Sequence, residues 1–140
     1  MHVPGLRSPY ERVGGIVFFG RMLDKIRHYD IGRLPAGYNL GTSNRTFFDA
    51  RCTRFLGIEY EALVKFVLEE NSDEKVLAWC FQNGRHPREE EIEVWNDFML
   101  KRGWRDAGSA ELEHAKQASG FAHRNDIQTW FEFHCADETS

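Results

Sequence analysis

A chain of 140 residues with 41% hydrophobic and 29% charged residues fits one compact domain that buries a core without staples, which excludes a disordered chain and a disulfide-built miniprotein. Eleven Phe and four Trp make that core aromatic. The net charge of -4 divides unevenly: residues 1–56 hold nine Lys+Arg against four Asp+Glu (+5), and residues 57–140 hold nine against eighteen (-9).

Eight of the nine cations in the first part are arginines, the side chain that grips carboxylate or phosphate through a planar fork. This allows an anion site or a nucleic-acid face, and equally a basic part that faces the acidic part of the same fold. Cys52, Cys80 and Cys135 lie far apart with no paired spacing, as expected of reduced thiols in the cytoplasm. The run from Ile16 to Phe19 is too short to span a bilayer, so no membrane association is expected.

Ser8-Pro9 and the pair Gly14-Gly15 precede a first helix over Gly20 to Asp30, whose last turn carries Arg27 and His28. The stretch from Gly32 to Gly41 reads as the longest loop, anchored by Tyr38 and Leu40. A second helix, capped by Thr42 or Ser43, carries Phe47, Phe48, Cys52, Phe55 and Leu56 to Gly57, and Arg51 falls inside its apolar arc. A third runs from Glu59 to Glu70, and a fourth from Asp73 to Asn83 with Ser72 or Asn71 as cap. In the fifth, Pro87 suits the first helical position and Glu89, Glu90 and Glu91 the positive N-terminus, with Gly103 as its end. The short link between the fourth and fifth predicts an antiparallel helical hairpin. Ser109 to Ser119 forms a weaker helix, Asn125 to His134 another, and the tail over residues 137–140 reads as disordered. The expected fold is therefore all-α: one domain of six or seven helices over residues 1–136.

The set SPYERVGG, RMLDKIR, FLGI and SDEKVLAWCFQNGRHPREEEIEVWN resembles a bacterial family known as domain of unknown function 5069, over about Ser8 to Gly103. The resemblance implies a small bacterial cytosolic protein. It supplies no activity, cofactor or catalytic residue.

On the first helix Asp24 lies three residues from Arg21 and Arg27 and four from His28, so one carboxylate can meet several cations, and Arg21 and Lys25 stand one turn apart. Two like charges at that spacing call for a negative partner, which an acidic side chain of the second part or a ligand can supply. The Gly14-Gly15 pair matches neither a P-loop nor a dinucleotide fingerprint and reads as a tight turn. Asn96, on the inward arc beside Trp95, either holds a loop such as Tyr38-Asn39 or faces a ligand. His114, His123, His134 and Cys135 make no paired ligand spacing, so no metal and no cofactor is expected.

Three functions fit these features. The first is a non-catalytic helical binding or assembly protein, a homodimer that buries Trp104, Phe121, Trp130 and Phe133. The second is a small-anion binder or enzyme centred on Arg21, Asp24, Lys25, Tyr38 and Asn96. The third is a nucleic-acid binder using the Arg-rich first part. The first is the expectation carried forward.

Overall fold

The computed structural model describes residues 1–139. The described residues hold seven helices and one two-stranded ribbon: β1 (Arg12–Val13), β2 (Ile16–Val17), α1 (Phe19–Asp30), α2 (Phe48–Leu56), α3 (Tyr60–Leu68), α4 (Asp73–Asn83), α5 (Glu89–Lys101), α6 (Ser109–Ala118) and α7 (Trp130–Thr139).

The expected Gly14-Gly15 turn closes a ribbon that helical periodicity did not reveal. Both glycines have positive φ, 57° and 81°, the conformation that joins two antiparallel strands in register Val13 to Ile16. Gly14 has a second reason to lack a side chain, since a Cβ there would stand 2.3 Å from Leu77 Cδ2. Helix α5 clamps the ribbon: the Asn96 amide accepts from the Val17 N–H (3.0 Å) and donates to the Gly15 carbonyl (2.8 Å), while the Trp95 indole donates to the Val17 carbonyl (3.2 Å). Asn96 thus does hold a loop, but the glycine turn rather than Tyr38-Asn39.

Phe18 enters α1 with φ of 73°, an unfavoured conformation for a residue with a Cβ, offset by near-complete burial of its ring against Phe48 and Phe131. The main core joins the ribbon and the inner faces of α1 to α5 with Phe131 of α7. A satellite core of Leu112, Ile127 and Phe133, flanked by Phe121 and Trp130, fixes α6 against α7.

Several element ends follow local chemistry. The Ser72 hydroxyl caps α4 by accepting from the Lys75 N–H, and Gly57 ends α2 in the left-handed region. Pro87 sits one residue outside the α5 cap, which is Arg88, whose N–H donates to the Glu91 carboxylate (2.8 Å). Helix α4 packs on α3 and β1, and α5 on β2 and α7, so the expected pairing of α4 with α5 is not among the principal contacts. Helix α2 begins at Phe48, later than a Thr42 or Ser43 cap implies.

The largest departure lies at the C-terminus. Thr129 caps α7, its hydroxyl accepting from the Glu132 N–H (3.2 Å), and the helix runs on to Thr139 through the stretch that reads as a tail from sequence. Of that tail only Ser140 lies outside the described residues.

Candidate functional site

The crowded charges of α1 separate into three ion pairs or networks, each completed by carboxylates of the same chain. Arg21, 2% exposed, donates to both oxygens of Glu138 (2.9 and 2.5 Å) and to the Arg7 carbonyl (3.1 Å). Lys25, 5% exposed, pairs with the fully buried Asp49 at 2.8 Å and donates to the Asn39 carbonyl at 2.8 Å. Burial pulls the Lys25 pKa down, Asp49 opposes that shift, and Arg21 adds to it.

Asp24 turns away from Arg21. Its carboxylate receives the Arg7 side chain (2.9 Å) and backbone N–H (2.9 Å), with Arg27 at 3.6 Å; His28 bonds instead to the Asp24 backbone carbonyl. Arg7 and Arg27 both continue to Asp73 at the start of α4, at 2.6 and 2.9 Å. This network cross-ties the N-terminal segment, α1 and α4. Gly20 makes room for it, because a Cβ there would meet the Arg7 guanidinium at 2.9 Å.

Arg21, Lys25 and Tyr38 converge on a cleft of about 550 Å³, whereas Asp24 and Asn96 do not line it. The Tyr38 hydroxyl donates to Glu138 (3.0 Å), and burial and the Glu138 charge raise its pKa. The other walls come from Phe48, Arg45 and Arg51 of the second-helix region, Arg102 after α5, Glu111 and Ala115 of α6, and Trp130, His134, Asp137 and Glu138 of α7. Five cations, Arg21, Lys25, Arg45, Arg51 and Arg102, thus face three carboxylates, Glu111, Asp137 and Glu138.

The cations form two groups at different ends of α7. Trp130, His134 and Glu138 recur every four residues, so they share one face over eight residues, about 12 Å of helix. At the Glu138 end Arg21 is paired with that carboxylate. At the Trp130 end the Trp130 N–H donates to the Arg102 carbonyl (2.9 Å), and the guanidinium carbons of Arg51 and Arg102 lie 5.3 and 5.5 Å from the centre of the same Phe98 ring. Arg102 has only a 3.6 Å approach to Asp106. The buried Arg51 Nε has no hydrogen-bond partner among the described residues. Burial, then Arg102, Arg54 and Arg45, press the Arg51 pKa down, and Asp106 opposes them.

Between the two ends stand Phe48, Trp130 and His134, the imidazole lying 6.4 Å from the Phe48 ring and 5.8 Å from Trp130. Burial, followed by Arg21 and Lys25, holds the His134 pKa at about 3, so the ring is neutral at physiological pH. A pKa below the ordinary 6.5 means that, as pH falls from 6.5 toward 3, the unfolded chain takes up a proton that the folded chain refuses, and stability is lost across that window. His134→Phe is expected to flatten this loss. Urea midpoints taken at about pH 7 and about pH 4 test it, and equal drops in both proteins would contradict it.

The aromatic residues expected at an interface are mostly internal. Phe133 is buried in the satellite core, and Phe121 and Trp130 pack against it; Trp104, 45% exposed, lies at the surface with Arg105 over its ring. The surplus of aromatics therefore serves a second core rather than a shared exposed patch. Among the described residues, no group of three or more His, Cys, Asp and Glu could hold a metal ion, and no helix is long and apolar enough to cross a membrane.

Arg51, Arg102 and Glu138 are the site residues that sequence reasoning did not select. A signal for the first was present, an arginine inside the apolar arc of α2.

Fold and site together define a mostly helical protein with a cation-rich cleft walled by aromatic rings. The chain belongs to the domain of unknown function family DUF5069, whose model matches residues 3–140, extending the resemblance past Gly103 to the C-terminus. A comparison with curated proteins gives no match.

Proposed function

We propose that this protein is a non-catalytic binding protein for a small organic anion, held in the cleft between α2, α6 and α7. The observation that carries the reading is the pair Arg51 and Arg102, both on the cleft wall and both over the Phe98 ring, to which the described residues bring no carboxylate nearer than Asp106 at 3.6 Å from Arg102. Two guanidinium groups on one wall with so little negative charge beside them favour an anionic group supplied from outside, which offers both of them charge-assisted hydrogen bonds. The cleft volume of about 550 Å³ falls in the range of small-molecule sites.

Binding rather than catalysis is favoured by the protonation states. Tyr38 is held protonated and His134 neutral with a very low pKa, neither poised near neutral pH for proton transfer. Nucleic-acid binding fits less well, because Arg7, Arg21 and Arg27 of the basic part are committed to Asp24, Asp73 and Glu138. A cytosolic setting belongs to the same proposal and draws on the three free thiols.

The test is calorimetric titration with a panel of aromatic and aliphatic carboxylates and phosphates. Arg51→Gln is expected to weaken binding of any ligand found by about tenfold or more, the value of one charged hydrogen bond, with little loss of stability. Undiminished affinity in that variant would remove Arg51 from the site.

A further inference from the structure

We propose that the ligand is a flat aromatic monoanion, its charged group on Arg51 and Arg102 and its ring along the Trp130–His134 face of α7. This rests on the cleft being an anion site and narrows the class of ligand.

The two ends of the cleft differ in what they can accept. At the Trp130 end, among the described residues, Arg51 has no ion-pair partner and Arg102 has Asp106 at 3.6 Å. At the Glu138 end, Arg21 already spends its fork on the Glu138 carboxylate and the Arg7 carbonyl, Tyr38 donates to the same carboxylate, and Lys25 is taken by Asp49 and Asn39. Glu138 therefore occupies one end as a carboxylate built into the chain. A second negative group arriving there meets a like charge and few free donors, so an elongated dianion is disfavoured.

Between the ends stand aromatic rings. Phe48, Trp130 and the neutral imidazole of His134 offer ring faces and edges, which reward a flat ring and give nothing to a bare inorganic anion. Trp130 and Glu138 stand eight helical steps apart, about 12 Å, so a bicyclic ring fits between the arginine pair and the built-in carboxylate.

Calorimetric titration with three probes tests the proposal: a naphthalene monocarboxylate, the naphthalene dicarboxylate with its acids at the two far ends, and inorganic phosphate. The monocarboxylate is expected to bind at least about tenfold more tightly than either other probe, and Arg51→Gln to weaken it about tenfold. Glu138→Gln, which keeps an oxygen acceptor for Arg21 but removes the charge, is expected to bring the dicarboxylate within about threefold of the monocarboxylate. Circular dichroism and thermal melting confirm that each variant is folded before titration. Phosphate or dicarboxylate binding as tightly as the monocarboxylate in the unmodified protein overturns the ligand class while leaving the anion site standing. Monocarboxylate binding that survives Arg51→Gln overturns the orientation. Failure of all three probes to bind removes both readings.

Discussion

Asp49→Ala is expected to destabilise the protein by about 3–5 kcal/mol, the range for removing one partner of a buried ion pair. The loss has two sources. The Lys25 ammonium would stay 5% exposed with only the Asn39 carbonyl to receive it, and the Gly41 N–H would lose the Asp49 oxygen that accepts it at 2.8 Å. The double variant Lys25→Met with Asp49→Leu is expected to recover the part of the loss that comes from the stranded charge, while the Gly41 N–H and the Asn39 carbonyl stay without these partners. Urea unfolding of the two single variants and the double variant reads the cycle directly. An Asp49→Ala loss below about 1 kcal/mol would mean that water reaches Lys25 in the folded protein.

Glu138→Ala is the second large effect, expected at about 3 kcal/mol. Arg21 is 2% exposed and its fork is directed at a carboxylate side chain that is 13% exposed, so truncation strips a buried guanidinium of its charged partner while the Arg7 carbonyl stays at 3.1 Å. Tyr38 loses its acceptor at the same time. A disordered tail residue would change stability by less than about 0.5 kcal/mol on truncation, so thermal or urea melting separates the two accounts.

The opposite fates of Arg21 and Asp24 show what was legible in the sequence and what was not. Helical spacing identified the charged face of α1 and its need for negative partners, and the extents of α1 and α4, with Ser72 as cap and Gly57 as the end of α2, were written in local residue chemistry. The partners were not, since Glu138 lies 117 residues from Arg21, and Asp73 lies 66 residues from Arg7. Local rules carry no information about such pairs. The ribbon was missed because two-residue strands are too short to show alternation, although Gly14-Gly15 marked the turn. Helix α7 was placed too early because its apolar pattern begins before it does; the T-x-x-E signature at Thr129 and Glu132 marks the true start. Phe133 is buried in the satellite core, which a single apolar stripe does not distinguish from a surface patch.

The site was half legible for the same reason. Arg21, Lys25 and Tyr38 do reach the cleft, but as its neutralised end, whereas the under-compensated cations come from Arg51 and Arg102, on α2 and just after α5, which meet only through Phe98. Charge crowding along a sequence points to ion pairs that the fold satisfies. Charge left over after folding is the better mark of a ligand site.

The most direct test of the anion-binding account is nuclear magnetic resonance of the arginine side-chain Nε–H groups during titration with a naphthalene monocarboxylate. The Arg51 resonance, whose nitrogen has no acceptor among the described residues, is expected to move together with that of Arg102 and the Trp130 indole, while Arg21 stays fixed on Glu138. Saturating shifts that fall on Arg21 and leave Arg51 unmoved would contradict it.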